Sequence, residues 1–190
     1  MSTIAAMKGG FDDPAVDAAH GFRALLHAMA MPGTIHDVAG AVPVAPLSVA
    51  AGVAILTLCD PETPVYLAPS HDTDAVRDWI TFHTGAPFVG PSHAAFAIGT
   101  WEALMPLDQF PIGTPEYPDR STTLIVEMDA LAQAGATLRG PGIRETAQLN
   151  LPDAGAMADN AALFPLGVDF ILTTGAQVAA LPRSTKIGER

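Results

Sequence analysis

The stretch "GVDFILTTGAQVAAL", residues 167–181, decides the fold class because it holds two apolar segments separated by one turn. Both "GVDFILTTG" and "AQVAAL" are rich in residues that favour strands, and Gly175 supplies the turn between them. This pattern predicts two strands joined as in a hairpin. The clearest strand elsewhere is "STTLIVEM", Ser121 to Met128, where β-branched residues cluster.

Upstream of these strands, strand patterns alternate with helix patterns. Short strands are predicted at "TIHDV", "VYLA" and "AAFAIG", and a buried helix is predicted from Ser48 to Leu58. Helices that alternate with strands, followed by strands that cluster, are typical of an α/β fold with a mixed sheet. No repeat or linker divides the sequence, so a single domain is predicted over residues 1–190.

Two further helices are predicted from their capping residues. In "FDDPAVDAAHGFRALLHAMAMPG", Asp13 is a plausible N-cap and Pro14 suits the first helical position. Apolar residues recur there at spacings of three and four, which indicates an amphipathic helix: Val16, Ala19, Phe22, Leu26 and Met29. In "HDTDAVRDWITFHTG", Asp72 is the predicted N-cap and Gly85 the predicted stop. The inward side chains of that helix are predicted to be Val76, Trp79 and Ile80.

Charge excludes several classes of partner. The chain has 20 acidic and 9 basic residues and a net charge of -11, so its long-range field repels nucleic acid and anionic membrane surfaces. A phosphate site would therefore need its own arginines and backbone amides. Charged residues make up only 15% of the chain, which is typical of a surface partly covered by a partner and also of proteins from an alanine-rich proteome. Because no signal-peptide pattern or long apolar run occurs, a cytoplasmic protein is predicted.

The residue types that usually carry catalysis are scattered or missing from the expected motifs. Cys59 stands alone in an apolar run and is predicted to be a buried thiol. The only lysines, Lys8 and Lys186, lie in the tails, which argues against Schiff-base chemistry. No metal-ligand spacing and no nucleotide-binding or serine-nucleophile motif occurs. The sequence therefore predicts no catalytic residue, no cofactor and no metal site, and it leaves open whether the chain is itself an enzyme.

Three smaller groups keep two interpretations each. The acidic residues of "CDPET" and "HDTD", Asp60, Glu62, Asp72 and Asp74, are predicted to cap turns and helices, with acid-base chemistry as the alternative. His83 in "FHTGAP" is interpreted as a packed core histidine or as part of a pocket.

The stretch "TLRGPGIRET", residues 137–146, is the candidate binding site. Gly140 and Gly142 allow positive φ and close backbone approach, and Arg139 and Arg144 could contact an anion. These four residues are the candidate anion-binding or interface residues. The alternative is a glycine turn between two strands, with arginines that pair with nearby carboxylates.

Several segments together resemble one known family. They are "FDDPAVDAAHGFRALLHAMAMPGT", "LTLCDPETPVYL", "FHTGAP", "YPDRSTTLIVEM", "LRGPGI", "FPLGVDFIL" and "LPRSTKI". In this order they resemble the H subunit of the carbon-phosphorus lyase system over essentially the whole chain. "PDRS" and "LPRST" depart slightly from the family pattern, and neither locates a site.

The resemblance implies a role in bacterial phosphonate catabolism. It implies a three-layer α/β/α fold like a reduced large domain of the pyridoxal-phosphate aminotransferases, without that cofactor. It also implies a homodimer when alone and a core complex with the G, I and J subunits. With the L subunit, that complex attaches methylphosphonate to the ribose of ATP in place of adenine, before the J subunit breaks the carbon-phosphorus bond.

Two functions from different classes are consistent with these observations. The first is an accessory, non-catalytic subunit of the phosphonate-activating complex, since the resemblance carries no catalytic residue to this chain. The second is a ligand-binding or catalytic subunit that itself binds a phosphonate or a nucleotide phosphate at "RGPGIR". A free-standing homodimer with an unrelated regulatory task is a third, lesser alternative.

Overall fold

The computed structural model describes residues 7–188, and its centre is a six-stranded mixed sheet. The strands of the large sheet lie in the order β1-β8-β7-β4-β3-β2. Their bounds are β1 (His36–Asp37), β2 (Val65–Leu67), β3 (Phe96–Thr100), β4 (Thr123–Glu127), β7 (Asp169–Thr174) and β8 (Gln177–Leu181). Strands β2, β3, β4 and β7 are parallel, whereas β8 is antiparallel to both neighbours. The prediction of an α/β fold with a mixed sheet and a late hairpin is confirmed.

A second sheet has three antiparallel strands in the order β6-β5-β9. These strands are β5 (Ala136–Arg139), β6 (Ala147–Leu149) and β9 (Lys186–Gly188). The helices are α1 (Pro14–Ala30), α2 (Val49–Leu58), α3 (Asp74–Thr84), α4 (Trp101–Leu104) and α5 (Ala154–Ala161). Within residues 7–188 no helix is long and apolar enough to cross a membrane.

The large sheet separates two hydrophobic cores because successive side chains of a strand point to opposite faces. In β4, Ile125 faces the first core, and Leu124 and Val126 face the second. Helices α1, α2 and α3 cover the first face. The second face is covered by the small sheet together with α4 and α5. The layer on this side is thus not purely helical, which differs from the helical layer that an α/β/α fold implies.

Most helix ends follow the predicted caps. The Asp13 carboxylate accepts a hydrogen bond from the Val16 N–H, and Gly85 ends α3 in the left-handed conformation at φ 70°. The prediction of Asp72 as the N-cap of α3 is wrong, since Thr73 takes that position and its hydroxyl accepts from the Val76 N–H at 3.2 Å. Asp72 instead forms an ion pair with Arg77.

Helix α1 packs through a side that the apolar spacing did not indicate. Its buried residues are Gly21, Leu25 and Ala28. A Cβ at Gly21 would lie 2.8 Å from Val53 Cγ1 of α2, so the small residue allows the two helices to approach closely. In an amphipathic helix, the apolar stripe usually faces the core. Here its members Val16, Ala19, Phe22 and Leu26 are exposed, and Met29 is half-buried.

Candidate functional site

The "RGPGIR" segment is a tight turn between two strands, as one of the two interpretations predicted. Strand β5 ends at Arg139, and the chain returns through β6, which pairs antiparallel with β5. Gly140 has φ 137° and Gly142 has φ 79°, so both lie in the region that favours glycine. A Cβ at Gly142 would lie 1.8 Å from the Ala30 carbonyl oxygen, so the turn packs directly against the C-terminal end of α1.

The structure places Lys186 beside Arg139. The two residues are directly opposite each other in the antiparallel pair of β5 and β9, and both side chains are exposed. Arg144 is exposed in the loop that follows the turn. Like charges directly opposite on neighbouring strands destabilise a sheet. The local chemistry is therefore a small basic ridge, formed by Arg139 and Lys186, on an otherwise acidic protein.

Neither arginine of the segment forms an ion pair with a carboxylate of residues 7–188. Within residues 7–188 the ion pairs are Arg77 with Asp72 and Arg183 with Asp169, and neither Arg139 nor Arg144 takes part in one. No ion pair in this range supports the interpretation that both arginines pair with nearby carboxylates, and that interpretation stays a prediction. Sequence analysis missed Lys186 because strand pairing brings it to the turn from a distant part of the chain.

Exposed apolar side chains form a second candidate surface along α1. We call Val16, Ala19, Phe22 and Leu26 the α1 stripe. The side chain of Phe22 is 52% exposed. Next to the stripe is an apolar groove of about 240 Å³, whose lining includes Leu25, Met29, Leu58 and Phe96. An exposed apolar patch bordered by a groove is typical of a surface that contacts another molecule.

The carboxyl ends of the parallel strands, where open α/β sheets usually bind ligands, hold a partly buried carboxylate. Glu127, at the end of β4, accepts hydrogen bonds from the Ser48 N–H at 2.7 Å and the Thr173 hydroxyl at 3.1 Å. Burial raises the pKa of Glu127, although these hydrogen bonds act in the opposite direction. Ser48 is the N-cap of α2, so the carboxylate occupies the helix end that would otherwise attract an anion.

The buried histidine is His71, not His83. His71 Nδ1 lies 2.9 Å from the Ser70 hydroxyl, while its Nε2 atom has no hydrogen-bond partner. Burial lowers the pKa of His71, and a contact with the Pro46 backbone opposes that shift. His83 is half-buried, and its ring packs 5.1 Å from the Trp79 ring. His83 is thus a surface residue that covers a core tryptophan.

The remaining candidate residues, Cys59, Asp60 and Asp72, are buried or hydrogen-bonded within the protein. Cys59 is buried, and burial raises the pKa of its thiol to about 12. The Asp60 side chain accepts hydrogen bonds from the Thr63 hydroxyl and the Glu62 N–H, which lower its pKa. The carboxylate of Asp72 has its pKa lowered by the hydrogen bonds from Arg77. Between residues 7 and 188, no three His, Cys, Asp or Glu side chains come together in a group that could hold a metal ion.

Comparison with known proteins places the chain among phosphonate-metabolism proteins. Residues 9–188 match the family described as "Bacterial phosphonate metabolism protein (PhnH)". The chain is 44% identical over 191 residues to "Alpha-D-ribose 1-methylphosphonate 5-triphosphate synthase subunit PhnH" of Rhizobium meliloti (strain 1021), and the alignment covers 94% of each protein. It is 30% identical over 176 residues to "Putative C-P lyase subunit protein HtxG" of Stutzerimonas stutzeri, across 87% of this chain and 83% of that protein.

Proposed function

The chain belongs to the PhnH family of bacterial phosphonate metabolism proteins, and we propose that it is an accessory, non-catalytic subunit of a carbon-phosphorus lyase complex. In this role it contributes to the formation of ribose 1-methylphosphonate 5-triphosphate from ATP and methylphosphonate. The name of the Rhizobium meliloti relative supports the assignment, because that protein is a subunit of the corresponding synthase. The name of the Stutzerimonas stutzeri relative, a putative C-P lyase subunit, agrees with it.

The α1 stripe is the observation that carries the proposal. Its large apolar side chains are exposed on one helix, and exposure of contiguous apolar surface is uncommon in soluble monomers. A partner that covers Phe22 and Leu26 would remove this surface from water, which is the main favourable contribution to protein association. We therefore propose the α1 stripe as a contact surface of the complex.

The absence of a catalytic role is supported by the state of the reactive groups. His71 is buried and Glu127 is partly buried, and each has a hydrogen-bond partner inside the protein. The Cys59 thiol is buried, and its raised pKa keeps it protonated at neutral pH. Glu127 lines a cavity at the ends of the strands, but both of its carboxylate oxygens already accept hydrogen bonds from Ser48 and Thr173.

The proposed partners are the G, I and J subunits of the same complex, and alone the chain is proposed to form a homodimer in the cytoplasm. The test is co-expression of the chain with the G, I and J subunits of its own operon, followed by affinity capture and size-exclusion chromatography with mass determination. We expect a stoichiometric complex. A chain that elutes apart from all three subunits at micromolar concentration would overturn the subunit proposal.

The α1 stripe is tested in the same experiment with a matched pair of variants. Phe22→Glu places a charge in the stripe, whereas Phe82→Glu places one at a phenylalanine of α3 that is 53% exposed. We expect Phe22→Glu to reduce capture at least about tenfold, since a buried unpaired charge costs several kcal/mol. Phe82→Glu should leave capture unchanged. Equal capture of both variants would show that the stripe is not the contact surface.

We also propose that residues 1–190 form one domain related to the large domain of the pyridoxal-phosphate aminotransferases. The central mixed sheet with a core on each face supports this relation. The two lysines support the loss of the cofactor, because Lys8 and Lys186 are exposed and so lack the desolvated surroundings that Schiff-base chemistry needs.

The basic ridge favours a second candidate function, in which the chain binds a phosphonate or a nucleotide phosphate. An anion between Arg139 and Lys186 would relieve the repulsion of two like charges on adjacent strands. A genuine site should raise the melting temperature in phosphate or ATP, because ligand that binds only the folded state stabilises it. Arg139→Ala should abolish this shift, while Lys8→Ala, a change at an exposed lysine outside the ridge, should preserve it. No shift in the unaltered protein would exclude this function.

A further inference from the structure

A large apolar cleft lies on the side of the molecule away from the α1 stripe. It measures about 600 Å³ and lies between the segment 105–112 and α5. Its apolar lining includes Met105, Leu107, Phe110, Ile112, Ala156 and Leu163. Its floor residue Phe110 belongs to the second core, whereas Leu25 on the inner side of α1 belongs to the first. The cleft and the α1 stripe are therefore on opposite faces of the large sheet.

The charged side chains around the cleft are all negative. Asp108 and Asp159 are exposed at its rim, and neither forms an ion pair within the part of the chain that the structure describes. The buried side chain of Asn160 is hydrogen-bonded within the protein, since its Nδ2 donates to the Val168 carbonyl and its Oδ1 accepts from the Val168 N–H, both at 2.9 Å. The side-chain charge offered to an occupant is therefore negative.

An apolar cleft with a negatively charged rim disfavours anions. It favours an occupant that combines apolar side chains with basic ones. Two unpaired carboxylates on a chain of net charge -11 repel a phosphonate or a nucleotide. A second copy of the chain would bring the same negative charge. A bulky apolar side chain with neighbouring lysines or arginines would bury the apolar lining and pair with Asp108 and Asp159 at the rim.

The apolar surface continues beyond the cleft. Leu163, in the turn after α5, is exposed at the edge of the cleft, and the next residue, Phe164, is 61% exposed. A continuous apolar surface of this kind fits an extended polypeptide better than a compact small molecule. We propose that this cleft receives a partner polypeptide segment in which bulky apolar side chains are flanked by basic residues. Because the cleft and the α1 stripe lie on opposite faces of the large sheet, one subunit can hold two partners at once.

The proposal is tested by titrating the full chain, labelled at its methyl groups, with three blocked hexapeptides in ¹H–¹³C spectra. The first has a central Leu–Phe pair flanked by lysines, the second has glutamates in place of the lysines, and the third has serines in place of the Leu–Phe pair. We expect the first peptide to shift the methyl signals of Met105, Leu107 and Leu163 with saturation. The Leu26 methyl signals on the α1 stripe should stay in place.

The two control peptides and one pair of variants separate specific docking from general attraction. We expect the glutamate and serine peptides to bind at least about tenfold more weakly at low salt. The double change Asp108→Asn and Asp159→Asn should weaken the first peptide about fivefold, whereas Glu116→Gln, at an exposed carboxylate outside the cleft, should not. Equal binding of either control peptide, an unchanged affinity in the double variant, or shifts at Leu26 of the same size would overturn the proposal.

Discussion

Glu127 Oε1 accepts a 2.7 Å hydrogen bond from the backbone N–H of Ser48, the residue that caps α2. Glu127 stands at the end of β4, and its other carboxylate oxygen accepts a hydrogen bond from Thr173 of the neighbouring strand β7. One side chain thus joins a buried helix end to two central strands. A carboxylate of the protein itself fills the place where related sheet architectures receive a ligand anion.

Replacing this carboxylate should change how stability depends on pH. Burial raises the pKa of Glu127 above its ordinary value of 4.5, so the folded protein keeps this proton over a range in which the unfolded chain has lost it. The free energy of unfolding should therefore fall as pH rises from about 4.5 through the raised pKa. Glu127→Gln should remove this part of the fall, as measured by guanidinium unfolding at intervals up to about pH 8.

A neighbouring carboxylate provides the control for that measurement. Glu102 lines the same cavity as Glu127 but is exposed, so Glu102→Gln should keep the pH dependence of the unaltered protein. If Glu127→Gln and the unaltered protein lose stability in parallel across this range, burial of the carboxylate does not set the dependence.

Substitution should be tolerated far less at Gly142, in the turn after β5, than at Gly175, in the hairpin between β7 and β8. A Cβ at Gly142 would lie 1.8 Å from the Ala30 carbonyl oxygen at φ 79°, and one at Gly175 would meet nothing within 4 Å at φ 51°. We expect Gly142→Ala to cost about 3 kcal/mol, because strain in φ and steric overlap add, and Gly175→Ala to cost about 1 kcal/mol from φ alone. Denaturant unfolding of both variants measures the difference, and equal costs would contradict the close approach of the turn to α1.

Cys59 should be inert in the folded protein. Its thiol is buried and has a pKa of about 12, so almost no thiolate is present at pH 8. Iodoacetamide at that pH should leave the mass of the native protein unchanged and should add one adduct in denaturing urea. Rapid alkylation of the native protein would show that the α2 end opens readily to solvent.

The two ion pairs should differ in their contribution to stability. Arg183 binds the Asp169 carboxylate and also donates to the Pro118 carbonyl at 2.7 Å, with both charged side chains largely buried. Arg183→Ala leaves Asp169 without its partner and should cost about 3 kcal/mol. In the exposed pair, Asp72→Asn should cost less than about 1 kcal/mol. Chemical denaturation measures the unfolding free energy lost in each variant. A larger loss for Asp72→Asn than for Arg183→Ala would contradict the prediction.

Local chemistry made much of the fold predictable. The cap Asp13, the stop at Gly85 and the hairpin at Gly175 depend on interactions within a few residues, and the structure has all three. The side of α1 that faces the core was not predictable from apolar spacing. Gly21 allows close contact with α2, so the helix buries its small residues, whereas Phe22 and Leu26 are left outside.

The candidate site also has some features that the sequence predicts and others that it does not. Positive φ at Gly140 and Gly142 follows from residue type and was predicted. The position of Lys186 opposite Arg139 depends on pairing between strands far apart in sequence, for which the segment itself carries no signal. The cleft rim likewise combines Asp108 with Asp159, which come from separate parts of the chain.

The place of β9 in the small sheet has a consequence for how the protein is made. β5 has β9 on one side, and residues 186–188 leave the ribosome long after residues 136–139. A nascent chain can therefore complete its helical layer while the opposite side of β4 still lacks part of its cover. Synthesis proceeds from the N-terminus, and transiently uncovered apolar surface invites misassembly. Until β9 has paired with β5, the apolar surface of the second core stays partly uncovered, and a chaperone that binds this surface would protect the chain.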